Sequence, residues 1–100
     1  MIARMWHGAV PVEKSDAYLK LMREVALPNY RDVDGNCGAW VLHRIDGATA
    51  HFDMLSFWDN EAAIKRFAGD DHEVSYYFDF DDDFLIEKEP FVRHWTMYDN

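Results

Sequence analysis

The chain has 100 residues, enough for one domain and too few for two. Hydrophobic residues make up 49% of it and charged residues 29%, the balance of a globular chain and not of a disordered one. Nineteen Asp and Glu against ten Lys and Arg give a formal charge of −9, which repels nucleic-acid phosphates and anionic lipid and excludes both as expected partners.

Residues 2–10 read as a strand that stops at Pro11. Its opening run, Met1 to Gly8, breaks its apolar residues with polar ones and lacks the apolar core of a signal peptide, so a cytoplasmic location is expected. No apolar run approaches the ~18 residues that span a membrane. From Glu13, Ala17, Tyr18, Leu21, Met22 and Val25 recur at helical spacing, and Pro28 is expected to end or kink that helix. Asn29 to Gly38 reads as a loop. The single cysteine, Cys37, has no partner for an internal disulfide and excludes a thiolate zinc site; a small, partly buried residue beside a turn is expected.

Residues 39–45 and 50–58 read as two strands joined at Asp46-Gly47, a strong hairpin signal because its turn needs positive φ. A two-residue loop there would set Leu42 opposite His51 and Val41 opposite Phe52. Asp59 is the expected N-cap of a second helix carrying Ala63, Ile64 and Phe67, with Gly69 at its end. The acid-rich stretch 70–89 is given a short helix from about His72 to Phe78, and residues 91–98 a fourth strand. The order β-α-β-β-α-β predicts a single α+β domain over 1–100, ferredoxin-like, with a four-stranded antiparallel sheet.

Alternation leaves neither sheet face polar. Trp40, Leu42, Leu55 and Phe57 share one face; Val41, Ile45, Phe52, Met54 and Trp58 share the other. Two short helices cover only one face, and each large apolar side chain left in water forgoes about 1.5–3 kcal/mol. A homodimer with sheets packed face to face is therefore expected.

Five histidines are spread along the chain, four of them on strands, without ligand spacing. His72, flanked by Asp71 and Glu73, is the one best placed to exchange a proton. Asp79, Asp81 and Asp83 fall on the first positions of a calcium-loop template, but Phe84 and Pro90 occupy its Gly and Glu positions, so a solvated acidic loop is expected instead. The aromatics around the second helix suit either an aromatic-substrate pocket or plain core.

The first strand ending at Pro11, the Asp46-Gly47 hairpin and the stretch Ser56-Phe-Trp-Asp-Asn-Glu-Ala-Ala-Ile-Lys-Arg-Phe67 together resemble the antibiotic biosynthesis monooxygenase-like family of the dimeric α/β-barrel superfamily. The resemblance implies sheets pairing into a dimeric α/β barrel, with a pocket between the helices and the sheet. It also implies oxidation of an aromatic or polyketide-like molecule with no cofactor and no metal. On that reading His72 and Tyr77 are the catalytic candidates, and Trp6, Trp58, Phe67 and Tyr76 line the substrate. The haem-degrading branch carries Asn, Trp and His where this chain has Trp6, Phe67 and Tyr77, so haem chemistry is not expected. The alternative is a non-catalytic ligand-binding or stress-associated homodimer.

Overall fold

A computed structural model describes residues 1–98. Strand β1 (Ile2–Pro11) leads through a 3₁₀ turn into α1 (Ser15–Leu21), a π-helical turn over Met22–Ala26, and α2 (Leu27–Arg31). Strands β2 (Asn36–Asp46) and β3 (Thr49–Trp58) form a hairpin, followed by α3 (Glu61–Ala68) and the short β4 (Arg93–Thr96). The four strands form one sheet in the order β2-β3-β1-β4, with every neighbouring pair antiparallel. This α+β arrangement is compatible with a ferredoxin-like fold.

The alternation is visible in burial. Along β3, Ala50, Phe52, Met54, Ser56 and Trp58 are buried beneath the helices, while His51, Asp53, Leu55 and Phe57 are half-buried on the opposite face. The partners on β1 follow: Arg4 opposite Ser56, Trp6 opposite Met54, Val10 opposite Ala50. Tyr18, Met22 and Tyr30 close the core from the helical side.

Four local expectations are corrected. Pro28 does not end the helix. The Leu27 N–H donates five residues back, to the Met22 carbonyl, and this wider turn brings Pro28 into the first turn of α2, where no N–H is required. Asn29 Nδ2 then donates to the Val25 carbonyl at 2.7 Å. Second, the hairpin loop is Gly47-Ala48, with Gly47 at φ +60° and Asp46 paired to Thr49. Leu42 therefore faces Asp53, and Val41 faces Met54. A slide of two residues preserves the side-chain period, so the face assignments stand. Third, Asn60 and not Asp59 caps α3, its Oδ1 accepting from the Ala63 N–H at 3.0 Å. Fourth, β2 starts at Asn36 and bulges before Gly38; Cys37 is the extra residue and lies exposed.

The acid-rich stretch departs furthest. No helix forms over 72–78, because the backbone pairs across the chain instead: Val74 bridges Phe91, the Ser75 N–H donates to the Pro90 carbonyl, and the Val92 N–H to the Glu73 carbonyl. A 3₁₀ turn over Asp79–Asp83 follows, and the fourth strand shortens to Arg93–Thr96. Asp81 is buried and not solvated. It accepts from the Tyr18 hydroxyl and from the Phe78 N–H, both at 2.7 Å. Phe78, Phe80, Phe84 and Leu85 pack on the core from this segment.

Gly8 is set by close approach: a Cβ there would lie 2.4 Å from Trp6 Cη2 and 2.8 Å from Leu85 Cδ2. Gly8→Ala is expected to lower stability by about 1–3 kcal/mol through overpacking. Urea unfolding checks this; an unchanged midpoint would mean that the Trp6 ring is not held against the strand.

Candidate functional site

Four elements converge on a packed aromatic cluster between helices and sheet. β1 supplies Arg4 and Trp6, α2 supplies Tyr30, and α3 supplies Phe67 above Trp58 of β3. The Tyr30 and Phe67 ring centroids lie 4.2 Å apart, Phe67 and Trp58 5.7 Å, and Phe67 and Tyr76 4.9 Å. Arg4 is fully buried among them, its guanidinium carbon 5.6 Å from the Phe67 ring centroid. His94 on β4 is its register partner. Among the described residues, Arg4 Nε, Nη1 and Nη2, Trp6 Nε1 and His94 Nε2 are buried with no hydrogen-bond partner.

The electrostatics are one-sided. Burial lowers the Arg4 pKa from its ordinary value, yet a guanidinium stays charged in proteins. Burial pushes the Tyr30 phenol up to about 12, with Arg4 opposing, so Tyr30 is neutral at neutral pH. Burial, then the charges of Arg4 and His72, hold His94 down at about 4, with Glu61 opposing. Asp81, a buried carboxylate, is pushed up by burial, and its oxygens are engaged by Tyr18 and Phe78.

The sequence-predicted residues divide. Trp6, Trp58 and Phe67 lie in this region, and Tyr76 packs on Phe67 at its exposed rim. His72 sits at its edge, its ring 5.2 Å from that of His94 and its Nε2 3.5 Å from Glu61 Oε1. Its carboxylate contact is thus with α3 and not with flanking Asp71 or Glu73. Tyr77 packs edge-on against Trp6, 6.1 Å between centroids, and its hydroxyl donates to the Glu89 carbonyl. Burial raises its pKa, which keeps it a phenol. Arg4 and His94, the polar groups at the centre, were not among the sequence candidates. The signal that finds Arg4 is its phase: it shares the inward row of β1 with Trp6 and Val10.

A second polar group lies on the opposite sheet face. His7 Nδ1 meets Glu89 Oε2, and His7 Nε2 lies 3.0 Å from His51 Nδ1. Two strand histidines therefore share a face; the strand order, which seats β1 beside β3, is the feature that reveals it. His7 borders a hollow of about 560 Å³ lined also by Asp53, Glu89, Phe91 and Trp95. Among the described residues, no group of three or more His, Cys, Asp and Glu side chains is placed to hold a metal ion. No helix there is long and apolar enough to cross a membrane. A scan of protein-family models and a search of curated proteins each find no match to this chain.

Folded His94 takes up a proton near pH 4, and the unfolded residue near 6.5. Between those values the unfolded chain binds more protons, so this group makes stability rise with pH and lose ground as pH falls through the window. The groups setting this are Arg4, His72 and Glu61. His94→Gln is expected to flatten the pH dependence of the urea midpoint between pH 4 and 6.5; an unchanged slope would show that His94 is not held neutral.

Proposed function

We propose that the protein is a cofactor-independent monooxygenase of the antibiotic biosynthesis monooxygenase-like type, acting as a homodimer on an aromatic or polyketide-like small molecule. The observation that supports this reading is the aromatic cluster of Trp6, Tyr30, Trp58 and Phe67 beside buried nitrogens that have no partner among the described residues. Aromatic walls hold a planar molecule and exclude water, and unpaired donors receive its oxygen. A phenol that loses its proton there becomes the reductant itself. In its oxidation to a quinone by O2, one oxygen atom enters the ring and the other leaves as water. The substrate supplies all four electrons. His72 is favoured over Tyr77 for the proton, because the Tyr77 hydroxyl is committed to the Glu89 carbonyl.

The uncovered sheet face supports the dimer. Trp40, Leu42 and Trp95 are 43–49% exposed there, beside half-buried Met5, Leu55 and Phe57. A second copy packed sheet to sheet removes these side chains from water and closes the assembly by two-fold symmetry. One observation favours the non-catalytic alternative: the interior is filled by side chains, with Trp6, Tyr18, Tyr30, Phe52 and Trp58 all at 2% exposure or less. On the oxygenase reading, the half-buried Phe67 and the exposed Tyr76 swing aside to admit substrate.

Sedimentation equilibrium at micromolar concentration is expected to give twice the 11.8 kDa chain mass, and Trp40→Glu to shift it toward monomer. A stable wild-type monomer would overturn the barrel. Chelator-treated protein with hydroxylated polycyclic aromatics is expected to consume O2 and incorporate one atom of it into product. Binding without uptake would establish the non-catalytic reading, and neither binding nor uptake would remove both.

A further inference from the structure

We infer that His7 and His51 form a proton-operated switch on the open sheet face, which admits a second copy of the chain while the pair carries at most one added proton and releases it when the pair carries two. This rests on the homodimer reading and supplies its regulation. His7 and His51 are half-buried on the row of β1 and β3 that faces away from the helices, with Met5, Asp53, Leu55 and Phe57. Asp53 pairs in register with Leu42, and Leu55 with Trp40. The two histidines are therefore continuous with the apolar side chains that a second copy covers.

Counting protons fixes how the pair behaves. His7 Nδ1 meets the Glu89 carboxylate, which only accepts, so that nitrogen carries a proton. His7 Nε2 and His51 Nδ1 face each other at 3.0 Å, and one proton between them makes the hydrogen bond. With both imidazoles neutral, His51 donates to His7 and its own Nε2 is bare. A first added proton fills that nitrogen and leaves every bond in place, and Glu89 balances its charge. A second puts N–H groups on both facing nitrogens, so two donors of like charge meet and the bond is lost. The charged groups around the pair divide the same way. Asp53, the register partner of His7, is a second carboxylate beside the first proton. Arg44, the register partner of His51, is a cation where the second arrives, and it pairs with Asp46 at 3.8 Å. Arg93 lines the hollow beside His7 and adds positive charge there. In the monomer the freed His51 imidazolium turns into water. Beneath a second copy it is a buried charge that has lost its hydrogen bond, which is strongly unfavourable, and two-fold symmetry imposes the cost twice.

The direction of the effect is diagnostic. Two copies of formal charge −9 repel, and acid weakens that repulsion, so net charge alone favours association as pH falls. The histidine pair does the reverse.

Sedimentation equilibrium at pH 7.5 and 5.5, at one ionic strength and with circular dichroism confirming the fold at both, measures the dimer dissociation constant. The constant is expected to rise at least about tenfold at the lower pH, as a proton enters each copy. His51→Asn, whose amide donates to His7 Nε2 without a charge, is expected to keep the constant within about twofold between the two pH values. His7→Gln carries the same expectation if His51→Asn fails to fold. Glu89→Gln removes the charge that balances the first proton and is expected to dissociate at a higher pH than wild type. A wild-type constant that stays level or falls in acid, an equal rise in the folded histidine variant, a Glu89→Gln transition no higher than that of wild type, or failure of both histidine variants to fold would each overturn the switch. A dimer indifferent to pH removes the switch and leaves the homodimer reading in place; a monomer at both pH values removes the two together.

Discussion

The antiparallel pairing of β1 with β3, from Ile2–Trp58 to Pro11–Thr49, is the constraint on which the rest of the molecule depends. It places two alternating strands at the centre of the sheet, so a single choice of register decides the environment of twenty residues. One row, Arg4, Trp6, Val10 with Phe52, Met54 and Trp58, goes under the helices. The other, Met5 and His7 with His51, Asp53, Leu55 and Phe57, goes to the uncovered face. A slip of one residue would exchange the two sets, bringing Arg4 to the surface and His7 into the core. The inward place of Arg4 and the meeting of His7 with His51 are consequences of this one pairing.

Against that background the buried guanidinium is conspicuous. Replacing a buried ion with an apolar residue of similar volume is often neutral or stabilising, so stability alone gives no reason for Arg4 on the inward row. The neighbouring unpaired Trp6 and His94 nitrogens point the same way. Where local rules of packing are broken without compensation among the described residues, a functional site is the usual physical reason. The unpartnered nitrogens of Arg4, Trp6 and His94, three of them on the guanidinium, are all buried.

The acid-rich segment shows how tertiary contacts override local reading. From composition, residues 70–89 look like solvated surface. In the fold, the aromatics interleaved with the acids, Phe78, Phe80 and Phe84, pack on Tyr18 and its neighbours, and Asp81 hooks the Tyr18 hydroxyl. The hydrophobic gain of several rings outweighs the cost of carrying one carboxylate inward, because that carboxylate keeps hydrogen bonds at both oxygens. The same segment brings Glu89 to His7 and seats Tyr77 against Trp6.

Periodicity in the sequence was enough for the order of the four strands and of the helices before and after the hairpin, and for the two faces of that hairpin, because alternation and helical repeat are local properties of the backbone. It also showed that both faces are apolar. What it left open were contacts between residues distant in the chain: the π turn that absorbs Pro28, the exchange of Asp59 for Asn60 as cap, the backbone bridge of Val74 to Phe91, and the meeting of Arg4 with His94 and of His7 with His51. Each depends on which strand lies beside which and in what register. That is decided by packing over the whole sheet and not by any short stretch of residues.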